Sequence, residues 1–309
     1  MRRFIKSLLL FIPFMVLLYM AMLLIWAELV PAQFQRNVFT TDGHVQKRLD
    51  EAKETKNVDV LFLGSSHTFR GFDTRIFQKA GLKSFNLGSP AQTPLQTEYL
   101  LEQYLDKLKP KLVIYEVYPI TFSIDGVEAS VHLMANEEVN SDIVEVAVEQ
   151  NSLIVYNTLL LSSLEQLLGL EIKDELAKKN ERYIPGGYVE RNLEYFDRTP
   201  RPKQALRFDE EQFEWFERNL QLLKARNIDY ILVQAPYPKA TYNSFTNLEG
   251  FDKRMENYGE YYNFNEAMNL DDSLNYMDDS HLNQNGVNAF NKQLIDTIKR
   301  RKPHLSFKL

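Results

Sequence analysis

The sequence predicts an α/β domain with a parallel sheet, carried behind one N-terminal transmembrane helix. Three observations predict it. An unbroken apolar run lies near the N-terminus, short β-rich apolar runs alternate with amphipathic helical periods, and a glycine or proline stop follows several of those runs. Strands that alternate with helices imply right-handed crossovers and a sheet covered on both faces.

Leu8 to Ala27 is apolar throughout and matches the ~20 residues a helix needs to cross a bilayer. Arg2, Arg3 and Lys6 precede it and Glu28 follows, so the positive-inside rule keeps the N-terminus cytoplasmic and sends the main domain outside. Tyr19 and Trp26 suit an interface, and Pro13 is tolerable near the cytoplasmic end. A cleaved signal peptide is the alternative, with Val30-Pro31-Ala32 as a cleavage-like site, although signal h-regions run only ~7–15 residues. Both readings export the domain. Residues 1–30 are therefore read as cytoplasmic start and anchor. Residues 31–57 form a polar connector with a turn at Thr40-Thr41-Asp42-Gly43 and a helix over Val45 to Lys53, and 58–309 form the main domain.

Within that domain Val58 to Gly64 reads as a buried parallel strand closed by its glycine. Ser84 to Leu87 is the second strand. Pro94 to Leu108 is an amphipathic helix with Pro94 at its start, and Leu112 to Val117 is a third strand before Pro119. The alternation resumes with a helix over Glu210 to Ala225, a strand over Tyr230 to Ala235, a last strand near Tyr261 to Phe264 and a terminal helix near Gln284 to Lys299. Residues 126–203 break the pattern as a helical insertion. They hold a helical stretch over Asp142 to Leu170 and a Gly- and Pro-punctuated loop over Tyr183 to Pro202. An insertion of this kind either shapes a cleft or docks a partner, or extends the core as a cap.

Composition excludes several classes. There is no cysteine, so disulfides and thiolate chemistry are impossible, and a net charge of -6 argues against a nucleic-acid partner. No Gly-x-Gly-x-x-Gly or phosphate loop follows a strand. His44, His132 and His304 have no partner at ligand spacing, so neither a metal nor another cofactor is expected.

Two short segments carry chemistry. The first strand runs into Gly64-Ser65-Ser66-His67, with Gly71 beyond, and a nucleophile at the carboxyl end of a parallel strand faces the crevice where open α/β sheets bind ligands. Gly64 permits a tight exit, and the turn leaves the serine's own amide aimed at a developing oxyanion. Near the C-terminus stands Met277-Asp278-Asp279-Ser280-His281-Leu282-Asn283. Imidazole takes a serine proton at neutral pH, and a carboxylate on its other nitrogen fixes the tautomer. Each segment has a plainer reading, the first as a turn and the second as an Asp-rich loop before an N-cap at Asn283. His67 reads as an exposed turn residue, Asp271-Asp272 as the start of a turn, and the tyrosines and asparagines from Tyr237 to Asn263 as candidates for a carbohydrate cleft.

Together the two segments resemble the SGNH/GDSL hydrolase superfamily, in strand-end motifs spread over the exported domain. The resemblance implies a flavodoxin-like three-layer fold, with Ser66 as nucleophile, Asp278 as orienting acid and His281 as base. Phe85-Asn86-Leu87-Gly88 is similar to the second family block, which implies an oxyanion hole made by the amides of Ser66 and Gly88 with Asn86 in support. The third block departs: the family asparagine is missing from Val113-Ile114-Tyr115-Glu116-Val117-Tyr118-Pro119. In this the chain is similar to the membrane-anchored branch that serves lipoteichoic-acid D-alanylation and alginate O-acetylation. That branch implies acyl transfer onto an envelope polysaccharide beside a multispanning membrane acyltransferase. The alternative is a non-catalytic envelope assembly protein that binds a glycan or such an acyltransferase.

Overall fold

The computed structural model describes residues 2–29, 43–170, 180–196, 200–303, 305 and 307. Val30-Pro31-Ala32, the first part of the connector through Asp42, and His304 lie outside them. Helix α1 (Arg2–Leu29) is followed by α2 (Val45–Glu54) and then the sheet. Strands β1 (Val60–Leu63), β2 (Ser84–Asn86), β3 (Leu112–Glu116), β6 (Asp229–Gln234) and β7 (Tyr261–Asn263) are all parallel, in the order β2-β1-β3-β6-β7. This doubly wound order places a crevice beyond the carboxyl ends of β1 and β3, where the winding reverses.

The strands are short apolar runs because both sheet faces are covered. Leu61, Leu63, Val113, Tyr115 and Leu232 enter one core layer, and Val60, Phe62, Ile114, Ile231 and Val233 enter the other, with the period of two that a pleat imposes. The first layer is closed by α2, α5 (Pro94–Leu108), α9 (Glu210–Ala225) and α11 (Leu248–Tyr258). Phe122 packs its ring on Phe213, Phe216 and Phe251 at 4.7, 5.3 and 5.3 Å between centroids, tying α9 to α11. The second layer is closed by α4 (Thr74–Lys79) and α13 (Gln284–Arg301), whose Val287, Phe290, Leu294 and Ile298 form one buried stripe.

The insertion divides between the two layers. Helices α6 (Val127–Asn136), α7 (Ser141–Gln150) and α8 (Leu153–Leu168) add Leu133, Met134, Ile143, Ala147 and Val155 to the first. The expected single helical stretch is thus broken, because Asn151 turns left-handed (φ 44) and closes α7, a conformation asparagine tolerates. The punctuated loop holds an antiparallel hairpin, β4 (Glu181–Ile184) and β5 (Tyr188–Arg191), which was not expected. Its turn is glycine by necessity: Gly187 has φ 92, and a Cβ there would sit 2.3 Å from the Asn86 carbonyl oxygen. The Gly186 carbonyl accepts from the Asn86 amide at 2.8 Å, so the hairpin is clamped to the end of β2. The last strand stops at Asn263, one residue earlier than expected, because the Asn263 side chain accepts from the Asn265 amide and caps α12 (Phe264–Ala267).

Candidate active site

The end of β1 is forced into a sharp exit. Gly64 has φ 135, and a Cβ there would lie 2.5 Å from Thr68 Oγ1 and 2.8 Å from the Glu116 carbonyl oxygen. Gly64→Ala combines left-handed strain with overpacking and is expected to cost at least about 2 kcal/mol, read as a lowered midpoint in urea unfolding at unchanged m. Past this exit the buried Ser65 caps the short helix α3 (Ser66–Gly71), its hydroxyl accepting from the His67 amide at 3.4 Å. Ser66 is thereby the first helical residue, half-buried, with an amide that no carbonyl of its own helix can reach.

The opposing residues come from the turn before α13. Asp278 Oδ1 accepts from the amides of Ser280 and His281 at 2.9 and 2.7 Å, which folds the turn around the carboxylate. Asn283 caps α13 through the amides of Asn285 and Gly286, as the plainer N-cap reading of this segment expects. Both oxygens of Asp278 lie 3.0 Å from His281 Nδ1, and His281 Nε2 lies 2.8 Å from Ser66 Oγ. With Nδ1–H donating to the carboxylate, Nε2 presents its lone pair to the serine hydroxyl. Burial alone would raise the Asp278 pKa. The hydrogen bond and charge of His281, with the two turn amides, outweigh it and hold the carboxyl well below the usual carboxylate range. Asp279 is diverted into an ion pair with Arg201.

Beside this array lies a second set of polar side chains that sequence reasoning missed. His67 is not an exposed turn residue; it is 4% exposed, stacked on Tyr118 with ring centroids 3.8 Å apart. Its Nε2 lies 2.8 Å from Ser280 Oγ, and the Tyr118 hydroxyl lies 3.4 Å from the same oxygen. Two Ser-His dipeptides therefore cross-link: Ser66 bonds His281, and Ser280 bonds His67. The repeated dipeptide was the available signal. Burial, reinforced by the neighbouring His281, pushes the His67 pKa well below 6.5, so the ring stays neutral.

Behind His67 stands Glu116, fully buried at the end of β3, its Oε1 3.8 Å from His67 Nδ1. Burial pushes its pKa up to about 8 against the pull of amides from Ala235, Ser65 and Tyr118, so the carboxyl is mostly protonated at neutral pH. The unfolded chain ionises a glutamate near ~4.3 while the folded one keeps its proton to about 8, so this group's stabilisation is full at acid pH and is lost as pH rises between those values. His67 has the opposite sign, losing stability as pH falls below ~6.5. Glu116→Gln is therefore expected to flatten the decline of melting temperature between pH 6.5 and 8, measured by differential scanning fluorimetry.

The expected oxyanion donors are brought close in the chain but differ in availability. The Gly88 amide donates to Asn86 Oδ1 at 3.0 Å and is occupied. Asn86 itself is buried and donates to the Thr68 carbonyl at 2.8 Å, bracing the back of α3. Tyr118, just past the end of β3, stacks on His67. Asp272 is buried and accepts from the Lys239 and Ala240 amides, so it is a cap for the helix Lys239–Tyr242 as much as a turn residue. Tyr237 is buried between Tyr118 and Tyr242, whereas Tyr242, Tyr261, Tyr262 and Asn263 line a charged cavity of about 980 Å³ at the β7 edge. Among the described residues no cluster of His, Asp or Glu could hold a metal ion.

No family model matches the chain, and no curated protein matches it. Among solved structures it is similar to a protein described as an acylhydrolase from Bacteroides fragilis, at 15% identity and a TM-score of 0.42 over 83% of this chain and 95% of that one. It is also similar to a GDSL-like lipase from Bacteroides thetaiotaomicron, at 15% identity and a TM-score of 0.41 over 82% and 98%. Likenesses at this level carry no weight for function.

Proposed function

We propose that this protein is an SGNH-type serine esterase or O-acyltransferase, membrane-anchored with its main domain extracytoplasmic. Its substrates are acyl esters of a cell-envelope polysaccharide or related polymer. The observation that carries the reading is the array of Ser66 Oγ at 2.8 Å from His281 Nε2 and His281 Nδ1 at 3.0 Å from Asp278. His281 takes the Ser66 proton as the oxygen attacks the acyl carbonyl, the Ser66 amide stabilises the oxyanion, and His281 returns the proton to the leaving alkoxide. The acyl-Ser66 is then discharged to a sugar hydroxyl or to water, activated by the same histidine.

The occupied Gly88 amide and the missing third-block asparagine each remove one oxyanion donor, and loss of one such donor costs ~10²–10³ in rate. That loss slows hydrolysis and transfer alike, and it is the tether and the resemblance to the membrane-anchored branch that tilt the choice towards transfer beside a multispanning acyltransferase. Helix α1 contains 24 residues, Phe4–Ala27, apolar enough to span a bilayer, and supports the tether. Fluorophosphonate labelling of the full chain tests the reading: Ser66 is expected to be labelled, and an unlabelled wild-type protein sinks the enzyme in favour of a non-catalytic assembly role. Acetyl-ester turnover with and without a polysaccharide acceptor separates transfer from hydrolysis.

A further inference from the structure

Helix α8 carries a single charged residue, Glu165, among sixteen. Leu153, Ile154, Tyr156, Leu167 and Leu168 on it, and Leu170 just beyond, are exposed, Leu153 by 71% and Leu167 by 82%. Leu153, Tyr156, Leu160 and Leu167 fall at helical spacing and form one stripe. Burying such a leucine is worth ~1.5–3 kcal/mol, so a stripe of this kind left in water is costly.

Helix α1 lies against α8. The Tyr19 hydroxyl donates to Asn157 Oδ1 at 2.6 Å, and Leu23 and Ala27 are buried on the same side of α1. At a rise of ~1.5 Å per residue, Tyr19 stands about 12 Å short of Ala27, where the apolar span ends. The whole span is about 36 Å long against a hydrocarbon core of ~30 Å, so Tyr19, expected at an interface from sequence, instead falls about 6 Å inside the outer boundary even if all the excess length lies on that side. Whatever surrounds Tyr19 also surrounds the helix it touches.

We propose that α8 lies in the outer leaflet of the membrane, its apolar stripe on lipid acyl chains. The proposal rests on the reading of α1 as a membrane span. A domain held by α1 and α8 together cannot swivel freely about a single helix, so the Ser66–His281 site keeps a fixed aspect to the bilayer.

The chain has no cysteine, so single cysteines introduced at exposed positions accept an environment-sensitive NBD label without competition. The test uses full-length protein in phosphatidylcholine/phosphatidylglycerol vesicles containing no other protein. The substitutions are Leu153→Cys and Leu167→Cys on α8, Leu17→Cys on α1, and Glu211→Cys at an exposed position of α9 as the aqueous control. The α8 labels are expected to shift to shorter wavelength, lose most of their emission to brominated lipid, and resist iodide. If they respond like the Glu211 label while the Leu17 label sits in lipid, α8 lies in water and the proposal fails, with a protein partner left as the cover for the stripe. If the Leu17 label is also aqueous, the anchor reading itself is what fails.

Discussion

Replacing Ser66 by alanine is expected to abolish fluorophosphonate labelling and to lower kcat/KM for an acetyl ester by ~10⁴-fold or more. The Ser66 hydroxyl lies 2.8 Å from His281 Nε2, the base of the proposed mechanism. His281→Ala should cost about as much, and the double variant little more than either alone, because nucleophile and base act as one unit. Additive losses would mean that the two residues do not share a step. The folded state should survive both changes, since each side chain is only half-buried and each segment is pinned independently, α3 by Ser65 and the turn by Asp278 and Asn283. Near-wild-type turnover in Ser66→Ala would place the chemistry elsewhere.

Asp278→Asn is the second large effect, expected at ~10⁴-fold in kcat with KM little changed. The amide oxygen of the variant can still accept the Ser280 and His281 amides, so the turn keeps its shape. What changes is the histidine: an amide NH₂ facing Nδ1 favours the tautomer that carries its proton on Nε2, which then points a hydrogen at Ser66 and cannot accept one. A merely structural aspartate would instead give a loss that tracks stability. The carboxyl also feeds stability in a predictable direction. Its folded pKa is depressed, so its contribution is present above ~4 and is lost as pH falls below that, and the asparagine variant should lack this acid-limb decline in melting temperature.

Legibility in the sequence followed how local the determining physics was. Helices α5 and α9 begin and end where their sequences say: Pro94 sits at the first position behind a Thr93–Gln96 capping box, and Asp209 accepts from the Glu211 amide at the head of α9. The β-runs were legible because a doubly covered sheet demands apolar residues on both sides. The hairpin β4–β5 was not, since its strands carry charged residues and owe their place to Asn86, Arg70 and Glu51 far away in the chain. Arg70 pairs with Glu181 at 2.9 Å, and Glu51 accepts from the Tyr183 hydroxyl and the Gly186 amide.

The same distinction governs the site. Ser66, Asp278 and His281 were legible as short motifs with a known chemical logic. His67 was read as exposed because nothing local shows that Tyr118 and Tyr237 close over it. Glu116 was missed because a carboxylate at a strand end is ordinary until the fold removes water from it. The Gly88 amide was placed in the oxyanion hole by analogy, and only the fold reveals that Asn86 takes it.

The crossed Ser–His bonds bear on how such a protein is made. Ser66 and its base are 215 positions apart, and His67 and Ser280 are 213 apart. If Ser66 and His281 act as proposed, synthesis delivers the nucleophile 215 positions before its base. A chain halted before residue 278 would hold Ser66 without His281 beside it. On the proposed function, reactivity is thus withheld until α13 has docked.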